Sequence, residues 1–128
     1  MYKWISVFII SVVLLTAQQA EIDSLFMQAN QAMDEQSYRQ AVINYEKISQ
    51  MGIDHPDLYY NLGNAYYRMG IYGQAVWAYE KGLQFTPRDP DLNFNLDLTN
   101  TRVRDRIEVP ETFFLLEFYR SIINMFTI

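Results

Sequence analysis

The chain has 128 residues, half of them hydrophobic, ten tyrosines and a formal net charge of −5. That much apolar side chain supports a packed core and excludes wholesale disorder. The acidic balance is a poor match for nucleic acid, whose phosphates need a basic footprint. The absence of cysteine excludes disulfides, thiolate metal sites, a cysteine nucleophile and lipid attachment at an N-terminal cysteine.

The first element is a targeting segment. Lys3 supplies a positive charge, residues 4–17 are apolar apart from Ser6, Ser11 and Thr16, and the run stops at Gln18, Gln19 and Glu21. Charged start, apolar middle and small terminal residue have the order of a secretory signal, assigned here to residues 1–17. Cleavage is expected after Ala17, with Leu15 and Ala17 at the two recognition positions; Ala20 is a poorer choice because Gln18 falls at its −3 position. Read instead as an uncleaved anchor, the run is short of the roughly 20 residues that a spanning helix needs. Under both readings the remainder of the chain is exported.

Beyond this segment the chain repeats itself at an offset of 34 residues. Asp23 falls on Asp57, Asn30 on Asn64 and Tyr38 on Tyr72; Gln40-Ala41-Val42 falls on Gln74-Ala75-Val76, and Tyr45-Glu46-Lys47 on Tyr79-Glu80-Lys81. A fixed period of this length marks a stacked helical solenoid. Two units follow, 22–55 and 56–89, each a pair of helices. Helices are expected at about 22–35, 38–51, 57–69 and 72–85, broken at Gln36-Ser37, at Gly52 with His55-Pro56, at Gly70 and at Thr86-Pro87. Pro90 then opens a fifth helix, about 90–106, with Asp97 on a face where close packing would want a small residue; this reads as a solvating cap.

These positions resemble a tetratricopeptide repeat. In the second unit Tyr59, Leu62, Gly63, Tyr66, Ala75, Tyr79 and Pro87 stand where that family's pattern wants large, apolar, small, aromatic, small, aromatic and proline, with Gly82 in place of the usual alanine. Leu25, Ala29, Ala32, Ala41 and Tyr45 fit the degenerate first unit, in which Ile53 replaces the terminal proline. The resemblance implies an all-α antiparallel hairpin solenoid of about two and a half repeats. Gly63 and Ala75 are expected to let the two helices of a pair approach, with the Tyr66 and Tyr79 rings filling flanking holes.

The resemblance also implies that the first helix of each pair lines a concave groove. Phe26, Tyr60 and Phe94 then form an aromatic stripe, Asn30, Asn64, Asn61 and Asn95 an amide set, and Tyr67, Arg68 and Arg102 complete the candidate surface. Asparagine can satisfy a peptide backbone with both donor and acceptor, and aromatic rings are common binding hot spots. Some relatives clamp acidic C-termini with groove cations; here Phe26, Asp91 and Asn95 stand at those positions, so no clamp of that type is expected.

The last element, 110–128, reads as an apolar amphipathic helix. Phe113, Phe114, Leu116, Phe118, Tyr119, Ile122, Ile123 and Phe126 cover most of it, while Glu117, Arg120, Ser121 and Asn124 form one narrow polar stripe. It could pack on the solenoid, lie at a membrane surface or dock on a partner. Signal segment, two units and this tail together resemble the tetratricopeptide component of the Bacteroides aerotolerance (Bat) operon, with the run from Asp89 to Pro110 carrying much of the likeness. Members of that family commonly continue into membrane-spanning segments, so the chain can be a short form or fragment.

No catalytic apparatus is legible. His55 is the sole histidine, no glycine-rich phosphate loop exists, and the carboxylates fall at helix ends and exposed positions. Glu46-Lys47 and Glu80-Lys81, recurring at the repeat period, read as surface charge. The expectation is a non-enzymatic exported adaptor, in the bacterial periplasm or on the periplasmic side of the inner membrane, that binds a protein or peptide in its groove. Membrane-surface contact is possible; no cofactor, metal, nucleic acid or small-molecule substrate is expected. The alternative is a membrane-associated structural subunit acting through its C-terminal helix.

Overall fold

The computed structural model describes residues 2–106; the expected helix over 110–128 lies outside the described residues. Five helices follow one another, α1 (Tyr2–Asp34), α2 (Tyr38–Gln50), α3 (Pro56–Arg68), α4 (Tyr72–Phe85) and α5 (Pro90–Arg106), and the described residues contain no strand. Each helix packs on the next in the chain, and α3 also touches α5. The result is two successive hairpins, α1–α2 and α3–α4, with α5 laid against the second.

The helix boundaries of α2 to α5 fall within one residue of those read from the sequence. The first helix does not: it starts 20 residues before the expected position 22. No glycine or proline interrupts residues 4–34, so nothing stops the helix between the apolar segment and the first hairpin. The Ser11 and Thr16 hydroxyls donate to the carbonyls of Val7 and Val13, at 2.6 and 2.9 Å, so these polar groups are satisfied within the helix. From Trp4 onward α1 is long and apolar enough to cross a membrane, a property that a signal sequence near the N-terminus shares.

The turns repeat with the same period as the sequence. The Ser37 amide donates to the Ala32 carbonyl (2.8 Å), and 34 residues later the Ile71 amide donates to that of Tyr66 (3.0 Å). Such a closure needs one left-handed residue just past the helix. In the second hairpin that residue is Gly70, at φ 73°, and in the first it is Gln36, at φ 59°. A glycine adopts this conformation without steric cost, whereas Gln36 strains its Cβ against the following carbonyl by about 1 kcal/mol. The helix starts correspond too. His55 Nδ1 accepts the Asp57 amide at the head of α3 (3.3 Å), and Asp89 Oδ1 accepts the Asp91 and Leu92 amides at the head of α5, both at 3.0 Å.

Ala29, Ala41, Tyr45 and Ile48 fill the space between α1 and α2, while Leu58, Tyr59, Leu62, Ala75, Ala78 and Tyr79 do so between α3 and α4. Leu25 is half-buried against this core, and Pro87 is exposed in the turn before α5. The close approach of α3 to α4 is made differently from the expectation. A Cβ built on Gly63 would sit 2.5 Å from Tyr79 Cε1, so the missing side chain is replaced by the Tyr79 ring itself, not by a ring in a flanking hole. Tyr66 works elsewhere: its hydroxyl donates to Glu46 of α2, across the boundary between hairpins. Glu46 is therefore half-buried and partnered, which corrects its reading as plain surface charge. Its repeat equivalent Glu80 is exposed, and Asn100 stands one repeat on from Tyr66. Tyr59 closes the same boundary, its hydroxyl bonded to Asp54 and 3.2 Å from Ser49 Oγ, its ring edge-on to Trp77 and parallel to Phe85.

Candidate partner-binding groove

The first helix of each pair and the capping helix line one side of the molecule. Between them lies a cavity of about 410 Å³, walled by Met33 of α1, by Tyr60, Asn64, Tyr67 and Arg68 of α3, and by Asn95 and Leu98 of α5, with Tyr79 reaching in from α4. A second cavity of about 440 Å³ opens between α1 and the start of α3. Ile22, Phe26, Met27, Ile48, Ile53 and Leu58 make it apolar, and Asp23, Asn30, His55 and Asp57 form its polar lining. A smaller hollow of about 160 Å³ between the heads of α3 and α5 shares Asp57 with the apolar cavity and Tyr60 with the polar one. The three are thus linked through α3, and Tyr60 stands where two of them meet.

Tyr60, Asn64, Tyr67, Arg68 and Asn95 come together in the first cavity, and Phe26 and Asn30 in the second. Asn61, Phe94 and Arg102 line none of the three. Phe94 is 66 % exposed, whereas Phe26 is half-buried with its ring edge-on to Tyr45 at 5.7 Å. The aromatic stripe is therefore broken at its α5 end. Met33, Leu98 and the polar end of Tyr79 are wall residues that the sequence reading did not select. Tyr79 had been taken for packing alone, and a buried tyrosine hydroxyl needing a partner was the available signal.

The asparagines have a local duty. The Tyr45 hydroxyl donates to Asn30 Oδ1 at 2.5 Å, and 34 residues on the Tyr79 hydroxyl donates to Asn64 Oδ1 at 2.8 Å. Asn95 Nδ2 donates to the same Asn64 oxygen at 3.0 Å and ties α5 to α3. Leaving a buried tyrosine hydroxyl without a partner costs about 1–3 kcal/mol, which explains why asparagine and tyrosine repeat together. Asn64 Oδ1 thus accepts two hydrogen bonds and Asn30 Oδ1 one.

Burial sets the protonation of the tyrosines. It pushes Tyr45 up to about 12, with Asp34 adding to the effect. Tyr79 is raised further, first by burial and then by neighbouring Tyr60 and Tyr67, while Arg68 opposes. Tyr67 holds the Arg102 guanidinium above its ordinary value, chiefly by hydrogen bonding.

His55 lies at the rim, largely exposed, with Nδ1 occupied by the Asp57 amide and 3.5 Å from Asp57 Oδ2. Its capping of α3 accounts for its position. Among the described residues no group of three or more His, Cys, Asp or Glu side chains is arranged to hold a metal ion.

Comparison with curated proteins gives no match. Residues 56–89, the α3–α4 hairpin with the turn that follows it, match the family model described as tetratricopeptide repeat. Repeats of this family mediate protein–protein interaction and typically serve as non-enzymatic scaffolds. The matched stretch is the second hairpin, in which Gly63 seats on the Tyr79 ring and Tyr60 and Asn64 line the polar cavity; it is the part of the chain that is similar to a tetratricopeptide repeat.

Proposed function

We propose that the protein is an exported adaptor that binds a partner polypeptide in the hollow formed by α1, α3 and α5. The observation that carries this reading is the pair of cavities joined at α3, one apolar and one edged with tyrosine, amide and guanidinium groups. Apolar pockets with a few fixed polar groups are the usual form of a recognition site. Residues 22–55 then act as a degenerate first repeat and 90–106 as its cap. Export rests on the charged start and apolar run of residues 1–17. Placement in a cell-envelope complex with membrane proteins, of the aerotolerance type, rests on the sequence resemblance of the run from Asp89 to Pro110. The alternative, action through the apolar segment 110–128, rests on that segment's composition alone.

The test is partner capture by the full chain from native envelopes. Tyr60→Ala removes the ring shared by the polar cavity and the hollow at the heads of α3 and α5 and is expected to reduce capture about tenfold, the effect of losing one hot-spot aromatic, with circular dichroism unchanged. Trp77→Ala, on the exposed side of α4, is expected to leave capture intact. Equal capture by the Tyr60 variant and the parent would refute the groove reading.

A further inference from the structure

The charges on α3 and α5 are ordered, whereas α1 carries Asp23 and Asp34 at the corresponding positions. Asp57 stands in the first turn of α3 and Arg68 in its last turn, eleven residues on. On α5 Asp91 stands in the first turn and Arg102 eleven residues on, a turn before the helix end, and each is offset from its α3 counterpart by the 34-residue period. Eleven residues are within about 20° of three full helical turns, so both charges of a pair share one helix face. The cavities show that the face is the groove: Asp57 and Asp91 line the hollow at the heads of α3 and α5, and Arg68 lines the cavity toward their far ends. Arg102 is exposed and lines none of the three cavities; the 34-residue period sets it at the position on α5 that Arg68 holds on α3.

Helix-dipole complementarity accounts for the acid at the heads of α3 and α5 and for Arg68 at the end of α3, but not for Arg102, which lies a turn before the end of α5. α2 and α4, which make the other side of each hairpin, have no acidic residue in their first turns, and α4 has no basic residue in its last. Asp57 and Asp91 are exposed, as are Arg68 and Arg102, and among the described residues the one ion-pair contact is that between His55 and Asp57. The groove therefore offers a ligand an acidic end, an aromatic middle at Tyr60 and a basic end about 16 Å away.

We propose that the groove selects a partner segment with separated opposite charges, a lysine or arginine over Asp57 and Asp91 and a carboxylate over Arg68 and Arg102, with an apolar side chain between them at Tyr60. This deepens the groove reading and rests on it. The spacing fits about five residues of extended chain or about eleven of helix. A run of acidic residues is rejected, because Asp57, Asp89 and Asp91 face its far end. Arg68 and Arg102 act here as a charge edge one to two turns beyond the groove asparagines.

The experiment is selection of binders to the full chain from a displayed library of random peptides of about a dozen residues, long enough to span the groove extended. The enriched peptides are expected to carry Lys or Arg and Asp or Glu at opposite ends. Their synthetic versions should bind about tenfold more weakly to the Arg68→Glu/Arg102→Glu variant, and their binding to the parent chain should weaken as salt rises. A version with the same composition but alternating charges should lose about as much. Enriched peptides that need Tyr60 but show no charge segregation, or that ignore the arginine reversal, would overturn this proposal and leave the groove reading standing. Enriched peptides indifferent to Tyr60→Ala, or no enrichment at all, would overturn both.

Discussion

Gly63→Ala is expected to destabilise the protein by about 2 kcal/mol, which is the cost of overpacking less alanine's helix-propensity gain of about 1 kcal/mol. The new methyl would lie 2.5 Å from Tyr79 Cε1, 2.7 Å from Cδ1 and 2.9 Å from Cζ, so the ring must shift to admit it. Tyr79 is 1 % exposed, and its hydroxyl is held by Asn64 on the same helix as Gly63. Moving the ring therefore also breaks a buried hydrogen bond. A small domain loses about 4–8 °C of Tm per kcal/mol, so thermal unfolding by circular dichroism should show a fall on the order of 10 °C. Gly73→Ala is the control. Nothing lies within 4 Å of a Cβ there, and the substitution should raise stability by up to about 1 kcal/mol through helix propensity alone. Unchanged melting of Gly63→Ala would mean that α3 and α4 do not approach as described.

The second large effect is expected in alkali. Tyr45, Tyr59, Tyr66 and Tyr79 all have their ionisation pushed upward, in each case by burial first. An unfolded tyrosine ionises near pH 10, whereas folded Tyr45 does so at about 12. The native state thus holds the proton where the unfolded state has released it. The resulting stability is complete below about pH 10 and is lost as pH climbs through the folded value. For Tyr45 alone the difference corresponds to about 2–3 kcal/mol at about 1.4 kcal/mol per unit, and the other three add to it in the same direction. Urea unfolding followed from neutral pH to about pH 12 should show the midpoint flat at first and falling steeply above about pH 10. Tyrosine absorbance should then show these rings ionising together with unfolding. Smooth ionisation of every tyrosine near its ordinary value, with no loss of structure, would contradict their burial.

The same residues show what the sequence could and could not disclose. The 34-residue offset exposes the hairpins directly, because each unit must bury the same face against its neighbour. Pro56, Gly70 and Pro90 mark helix boundaries by backbone chemistry that no tertiary contact overrides. Partners are harder to read. Nothing in the string says whether Gly63 is opposed by Ala75 or by the Tyr79 ring, since both are consistent with two helices crossing closely. Glu46 and Glu80 look identical in sequence, yet only Glu46 meets a tyrosine from the next hairpin. The difference lies 20 residues away, at Tyr66 and its counterpart Asn100. The α1 start was missed for a related reason. Composition changes at Gln18, but a change of polarity does not end a helix without a breaker.

The groove was legible by position and less so by role. Tyr60, Asn64 and Arg68 face a common hollow because helical periodicity puts them there. That Asn30 and Asn64 hold Tyr45 and Tyr79 depends on hydroxyls from the second helix of each pair, which periodicity within the first helix does not show. Phe94 shares the register of Phe26 and Tyr60 but has no following hairpin among the described residues to cover it, and it stands exposed.

The account turns on partner binding across α1, α3 and α5, and site-specific photocrosslinking in native envelopes tests it most directly. A photoreactive phenylalanine analogue at position 60 sits at the meeting point of two hollows, and the same analogue at position 77 sits on the exposed face of α4. The expected result is a discrete crosslinked polypeptide from position 60 and none from position 77. Crosslinks from position 77 alone, or of equal yield from both, would contradict it.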